Sequence, residues 1–170
     1  MRSFDLQNGP IPFLGQELPL EVKVSPLLLK QVLHLEGRLV ARIPAVIPSG
    51  KRPPYVKEMI TDWLKAQARN EIPKRTRLLA TSLGLNINRI TIKDTRSRWG
   101  SCSAKNNLSF NWRLIMAPAE IVDYLIVHET AHLEELNHSA SFWNTVQRRC
   151  PNYRAHQTWL KACGRALLAA

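Results

Sequence analysis

The sequence predicts an α+β protein, in which an antiparallel hairpin or small sheet lies over a central helix and further helices flank it. Three observations support this class. Apolar and polar residues alternate in a strand-rich N-terminal segment, apolar residues recur at three- and four-residue steps from Tyr55, and alternation returns over residues 88–115 before helical periodicity resumes. Hydrophobic residues make up 45% of the 170-residue chain, which is enough for a packed core.

The N-terminal segment is predicted to consist of short strands. Alternation over residues 11–24 indicates a hairpin, and residues 31–43 indicate a second pair of strands that turns at Glu36-Gly37. Residues 44–54 are dense in Pro and Gly, which favours a loop or subdomain boundary. We therefore expect two parts that pack as one compact unit: a strand-rich segment over 1–54 and a core over 55–170.

A long helix and a second hairpin follow in the predicted order. The helix starts at Tyr55, is kinked or restarted at Pro73, and is capped by Gly84. The hairpin spans residues 88–115, with residues 100–107 as its turn.

Three helices are predicted to complete the chain. Pro118 opens the first, which continues to Glu135. Ser139 caps the second, and Pro151 ends it. The final helix covers residues 152–168.

Charge and cysteine content bear on partners and location. The chain carries 24 Lys+Arg against 13 Asp+Glu, a net charge of +11, so its surface either attracts a nucleotide or nucleic acid or is simply well solvated. The three cysteines are widely spaced and form no CxxC pair, which argues against a disulfide framework. Neither a signal-peptide pattern nor the roughly 20 apolar residues of a membrane span is found. We expect a cytoplasmic protein that does not contact a membrane.

Residues 128–132 carry the candidate chemistry, because His128-Glu129-Thr130-Ala131-His132 is an HExxH motif on a predicted helix. Four residues are about one helical turn, so both imidazoles lie on the same face and can share a metal ion. His138 follows six residues later and supplies a third ligand, which leaves one position of a zinc ion open for water. Glu129 is then placed to accept a proton from that water.

A solvated helix with two unrelated histidines is the alternative to this metal site. It is disfavoured because the helix is apolar enough to be buried and a third histidine follows at ligand distance. The spacing HExxHxxExxH matches the long metzincin motif except for Glu135 in place of Gly, but every methionine precedes the motif, so the downstream Met-turn of that subfamily is missing.

Four motifs in order resemble the YgjP-like metal-dependent hydrolases, a bacterial family of zincin metallopeptidases distantly similar to the SprT-like and WLM proteases. They are the segments RWGSC (98–102), NWRLIMAP (111–118), HETAHL (128–133) and NHSASFW (137–143). The resemblance implies a zincin-like core, one zinc ion held by His128, His132 and His138, and Glu129 as the catalytic base. Thr130 stands where the family usually has Leu.

Other polar residues are weaker candidates. The returning strand near residues 108–115 is predicted to be an edge strand along which an extended substrate pairs. Asn111 and Arg113 alternate on this strand, and so are expected to face the substrate. Arg96 and Arg98 either bind a substrate carboxylate or phosphate, or pair with an acidic residue among Asp94, Glu134 and Glu135, which we favour.

Aromatic residues near the motif are interpreted mainly as core. They form either the wall of a substrate cleft or, as we favour, part of the core: Trp99, Trp112, Phe142 and Trp143. Trp143 is also expected to pack the turn that carries His138. Tyr153 or His156 is eligible to stabilise an oxyanion, although packing is the favoured role for both.

The sequence thus predicts a zinc-dependent hydrolase, in the first place a metallopeptidase that cleaves peptide bonds by metal-activated water. Two alternatives stay open: a metal-dependent hydrolase of nucleotide phosphoanhydrides, and a DNA-associated protease or nucleic-acid-binding module. The oligomeric state is left open.

Overall fold

The computed structural model describes residues 9–169, which form small sheets and four α-helices. Residues 1–8 of the predicted N-terminal segment, which include the start of the chain searched for a signal peptide, lie outside the described residues, as does residue 170. Within the described part, no helix is both long and apolar enough to cross a membrane.

The N-terminal segment contains five strands: β1 (Ile11–Phe13), β2 (Gln16–Leu18), β3 (Leu20–Ser25), β4 (Gln31–Leu35) and β5 (Arg38–Pro44). The predicted pair around Glu36-Gly37 is confirmed, since β4 and β5 are antiparallel and both turn residues have positive φ. The predicted hairpin over 11–24 is shorter. It consists of β1 and β2 only, because β3 leaves it to pair in parallel with β5.

Helix α1 (Arg52–Ser82) is continuous over 31 residues and begins slightly before the predicted Tyr55. The predicted restart at Pro73 is wrong, because the buried residues Ile72 and Thr76 keep the helix packed on the core on either side of the proline. Gly84 ends the helix as predicted. Its φ is +65°, and the hydrogen bonds Gly84 N–H to Thr81 O and Leu85 N–H to Ala80 O form a Schellman motif.

The sheet that follows α1 in the chain differs from the hairpin predicted over residues 88–115. It contains β6 (Arg89–Lys93), β7 (Gly100–Cys102) and β8 (Asn107–Asn111) in the order β6-β8-β7, and β6 is parallel to β8. Gly100–Cys102, predicted as part of a turn, is the antiparallel partner of β8, because the turn tightens to Ser103–Asn106 with Asn106 at positive φ. Strand β8 is therefore central, and β6 and β7 form the two edges of this sheet.

The chain after β8 is helical. Residues Trp112–Met116, predicted as strand, form a 3₁₀ turn because the Asn111 side chain accepts a hydrogen bond from Arg113 N–H and so caps it. The helices that follow are α2 (Ala119–Ala131), α3 (Ala140–Arg149) and α4 (Tyr153–Leu168). Ser139 caps α3 through Phe142 N–H, as predicted.

Helix α2 lies at the centre of the protein, packed against α1, β7, α3 and α4. The main core is continuous from the N-terminal strands to the last helix, since it includes Ile11, Ile43, Leu64, Val122 and Leu167. The α+β class is confirmed. The division into 1–54 and 55–170 stays a prediction.

Candidate metal centre

Three histidines converge at the C-terminal end of α2. One ring nitrogen each from His128, His132 and His138 lies within 4.8 Å of the other two, and the Nε2 atoms of His128 and His138 are 3.2 Å apart. Helix α2 ends at Ala131, four residues before the predicted end at Glu135, so His132 is the first residue beyond the helix. The early end allows the chain to turn and bring His138 back over His128.

Hydrogen bonding and ring stacking orient the histidines. The His132 Nδ1–H donates to the carbonyl oxygen of Glu135 at 3.0 Å, which directs the lone pair of Nε2 towards the other two rings. The ring of Phe142, fully buried, stacks on His132 at 4.4 Å and lies edge-on to His128 and His138. Phe142 therefore forms the floor of the cluster, a role that its expected place in the core did not reveal.

Trp143 and Tyr153 extend this support to the third histidine. The Trp143 ring stacks on His138 at 5.7 Å, and Tyr153 stacks on the other side of Trp143 at 5.3 Å. The expectation that Trp143 packs the turn carrying His138 is thereby confirmed. Tyr153 is buried in this stack, and the ring of His156 lies 5.9 Å from Tyr124, so both take part in packing.

Two of the three donor nitrogens are spaced as expected on one tetrahedral metal ion. Two nitrogens bound at zinc–nitrogen distances of about 2.0–2.1 Å to one tetrahedral ion lie about 3.3 Å apart, close to the 3.2 Å between His128 and His138. Burial, together with the neighbouring imidazoles, lowers the pKa of His128 to about 4, and the pKa of His138 is lowered by the same causes. Both rings are therefore neutral at pH 7 and have a lone pair available for a cation.

Glu129 follows His128 near the C-terminal end of α2 and carries a buried carboxyl group. Its exposed fraction is 5%, and burial raises its pKa to about 8. Among the described residues no hydrogen-bond donor or cation engages its carboxylate. A carboxyl group in such surroundings holds a proton readily, as a group that takes up and returns a proton at neutral pH must.

Strand β7 reaches Glu129 at Gly100, a contact that sequence reasoning did not find. A β-carbon on Gly100 would lie 2.7 Å from both Cγ and Cδ of Glu129, so only glycine allows this approach. The signal in the sequence is the single glycine of the RWGSC segment, but its partner lies 29 positions further along the chain. The tertiary fold alone brings the two together.

The outer edge of β7 presents unpaired backbone groups next to Glu129. Asn111 N–H donates to Trp99 O and Ser103 N–H donates to Asn107 O, and in an antiparallel ladder alternate residues face the partner strand. Trp99, Ser101 and Ser103 thus face β8, and the N–H and C=O groups of Gly100 and Cys102 point outward. No described strand pairs with them.

The two predicted substrate-binding residues hold a loop in this structure. Asn111 is 1% exposed, and its amide donates to the carbonyl oxygens of Thr95 and Arg98. Arg113 pairs with Asp94 and lies over the Trp112 ring. Both side chains therefore fix the segment 94–98, and their role in binding substrate stays a prediction.

The expected acidic partners of Arg96 and Arg98 are engaged elsewhere. Asp94 pairs with Arg113 and Lys65, and Glu134 pairs with Arg149. The prediction that Arg96 and Arg98 pair with one of these acidic residues is therefore wrong. Within residues 9–169 neither arginine forms an ion pair.

Solved structures similar to this chain include two with a TM-score of 0.43. The metallopeptidase zymogen jannalysin of Methanocaldococcus jannaschii is 22% identical over 52% of this chain and 94% of its own. Wss1 of Saccharomyces cerevisiae is 12% identical over 87% of this chain and 97% of its own. These scores are too low to support a conclusion about activity.

Comparison with curated protein sequences gives no match. Residues 3–163, in contrast, match the sequence model of the YgjP-like metallopeptidase domain. The match includes the three histidines, Glu129, Gly100 and all three sheets of the described residues. Since it spans almost the whole chain, the protein belongs to the YgjP-like family of metallopeptidase domains.

Proposed function

We propose that His128, His132 and His138 hold one zinc ion and that the protein cleaves peptide bonds with Glu129 as its general base. The observation that carries this proposal is the convergence of three imidazoles, together with the buried carboxyl group of Glu129, which follows His128 in the chain. When bound, the zinc ion supplies Lewis acidity, which lowers the pKa of a water molecule and polarises a carbonyl group.

Glu129 moves the proton in this reaction. Its carboxylate accepts the proton of the attacking water and passes it to the amine that leaves when the peptide bond breaks. The buried position of Glu129 favours proton uptake, and Gly100 lies so close that a β-carbon there would be 2.7 Å from its Cγ and Cδ atoms.

The substrate adds to the outer edge of β7. An extended peptide can hydrogen-bond to the outward N–H and C=O groups of Gly100 and Cys102, as in other cases of strand addition. This places the scissile bond opposite Gly100, and thus beside Glu129. The position differs from the predicted pairing along residues 108–115, because β8 has neighbours on both sides.

Membership in a metallopeptidase family favours peptide-bond hydrolysis over the two alternatives from the sequence, phosphoanhydride hydrolysis and a nucleic-acid-associated role. The substrate class is therefore a peptide or protein.

Peptide cleavage by wild-type and Glu129→Gln proteins, both loaded with zinc, tests the proposal. Removal of the general base should lower kcat/KM by about 10²–10⁴-fold, while bound zinc stays at one ion per chain. Elemental analysis of wild-type protein should find zinc, and of His138→Ala protein should find much less. Equal rates for wild type and Glu129→Gln, or release of phosphate from nucleotides in place of peptide cleavage, would overturn the assignment.

A set of singly N-methylated peptides tests the binding edge. Because alternate residues of an added strand face β7, cleavage should be lost at every second methylated position around the scissile bond and retained in between. Uniform tolerance of N-methylation would exclude strand addition to β7 without contradicting the zinc site.

A further inference from the structure

A basic cavity lies between the loop before β7 and the last helix. Its volume is about 500 Å³, and its lining includes Arg96, Trp99, Leu160, Lys161 and Arg165. Trp99 joins the two elements, since its indole packs on Gly164 so closely that a β-carbon there would lie 3.1 Å from the ring. The cavity is thus built around a fixed aromatic wall.

Among residues 9–169, nothing compensates the positive charge of this cavity. No acidic residue lines it, and within the described residues Arg96, Lys161 and Arg165 form no ion pair. Lys161 and Arg165 are four residues apart on α4, where like charges repel one another. An anion bound between the three groups would remove this repulsion and form charge-assisted hydrogen bonds.

The cavity lies beside the N-terminal end of β7, because Trp99 lines it and directly precedes Gly100. Arg96 lines it as well, four residues before Gly100. Four residues of extended chain span about 13 Å, so a peptide added to β7 that extends past this end of the strand reaches about that far from Gly100.

We propose that this cavity is a subsite that binds a carboxylate of the peptide substrate, within about four residues of the scissile bond. The proposal rests on the proposed peptidase function. Trp99 and Leu160 provide an apolar wall for the methylene groups of a glutamate side chain, and the three cations bind its carboxylate. A cavity with basic residues at only three positions suits a single acidic group better than the repeated phosphates of a nucleic acid, which need an extended basic track.

Matched peptides test this subsite. Each pair differs only in Glu against Gln at one position, from four residues before to four residues after the cleaved bond, and a further pair compares a free C-terminal carboxylate with an amide. Wild-type protein should prefer the acidic member by about tenfold at one or two positions on one side of the bond. The position identifies a side chain or a chain terminus as the source of the carboxylate.

The variant Arg96→Ala/Lys161→Ala/Arg165→Ala should bring the ratio of kcat/KM for the acidic to the neutral peptide close to one. The control variant Lys57→Ala/Arg69→Ala/Lys74→Ala removes the same charge from exposed positions on α1 and should keep the wild-type ratio. A wild-type ratio of one at every position, or a preference that survives in the cavity variant, would overturn the subsite.

Binding measurements separate this inference from the proposed activity. Calorimetry with Glu129→Gln protein should show tighter binding of the acidic than of the neutral peptide, and this difference should be lost in the cavity variant, even if no peptide is cleaved by wild type. Cleavage of neutral peptides without acidic preference would leave the peptidase function in place and reject the subsite. If the cavity variant loses affinity for single-stranded oligonucleotides but not for acidic peptides, the site binds nucleic acid and the proposal is wrong.

Discussion

The candidate active site has two walls that are built in different ways. The helical wall, formed by α2, α3 and the turn between them, carries all three histidines within 11 consecutive residues. The strand wall, formed by the sheet β6-β8-β7, meets it through Gly100 and Glu129. The metal ligands thus depend on local structure, whereas the position of the proposed base depends on contact between distant segments.

Loss of a histidine should have the largest effect, because it breaks the helical wall itself. In His132→Ala protein we expect bound zinc to fall well below one ion per chain and peptide cleavage to fall to background, since the metal chemistry requires three protein ligands. His34→Ala is the control, because His34 lies in β4 and contacts the Phe13 and Trp63 rings. Elemental analysis and peptide assays measure both outcomes. Full zinc content in His132→Ala would show that another residue completes the site.

A side chain at Gly100 should break the contact between the walls while leaving the ligands in place. Gly100→Ala displaces Glu129, and a displacement of about 1 Å costs about 10²-fold in rate. Zinc content should remain at the wild-type value. Gly50→Ala is the matched control, because a β-carbon at Gly50 meets nothing within 4 Å. Unchanged kcat/KM in Gly100→Ala would mean that β7 does not position Glu129.

The burial of Glu129 should make the stability of the metal-free protein depend on pH. Burial raises its pKa to about 8, so the folded state favours the protonated form and stability falls as pH rises from the unfolded pKa near 4.5 towards 8. Glu129→Gln should therefore stabilise the metal-free protein at pH 9 by about 1–2 kcal/mol. This is less than the full free-energy cost of ionising the buried carboxyl group, because the amide of glutamine must also be desolvated. At pH 4 the difference should largely disappear. Denaturant unfolding at both pH values measures it, and a constant difference would contradict the shift.

Loss of the ion pair in the loop that leads into β7 should have the smallest effect, a small decrease in the free energy of unfolding. Hydrogen bonding from Arg113 lowers the pKa of Asp94 to about 2, so its stabilising contribution is present above the unfolded pKa and is lost as pH falls from about 4 to about 2. Asp94 is half exposed, and we expect Asp94→Asn to cost less than about 1 kcal/mol at pH 7. Asp62→Asn, at an exposed position of α1, is the control. An equal loss at pH 7 and pH 2 would exclude the ion pair as the cause.

The accuracy of the sequence predictions follows the same division between local and distant contacts. Features within one or two helical turns were predictable, such as the Gly84 and Ser139 caps and the convergence of the histidines. The pairing of β6 with β8 was not, because alternation of apolar residues identifies a strand but not its partner or direction. The same ambiguity led to the prediction that residues 108–115 form an edge.

The sequence by itself determined the α+β class, the three converging imidazoles with their adjacent carboxyl group, and the motifs of the family, because each depends on spacing along one segment. Only the tertiary structure decided which strand has a free edge, that Gly100 contacts Glu129, and that Arg96 meets Lys161 and Arg165 around one cavity. These contacts join residues far apart in the chain, and they are set by how the helices and the sheet pack around the shared core rather than by any local pattern of residues.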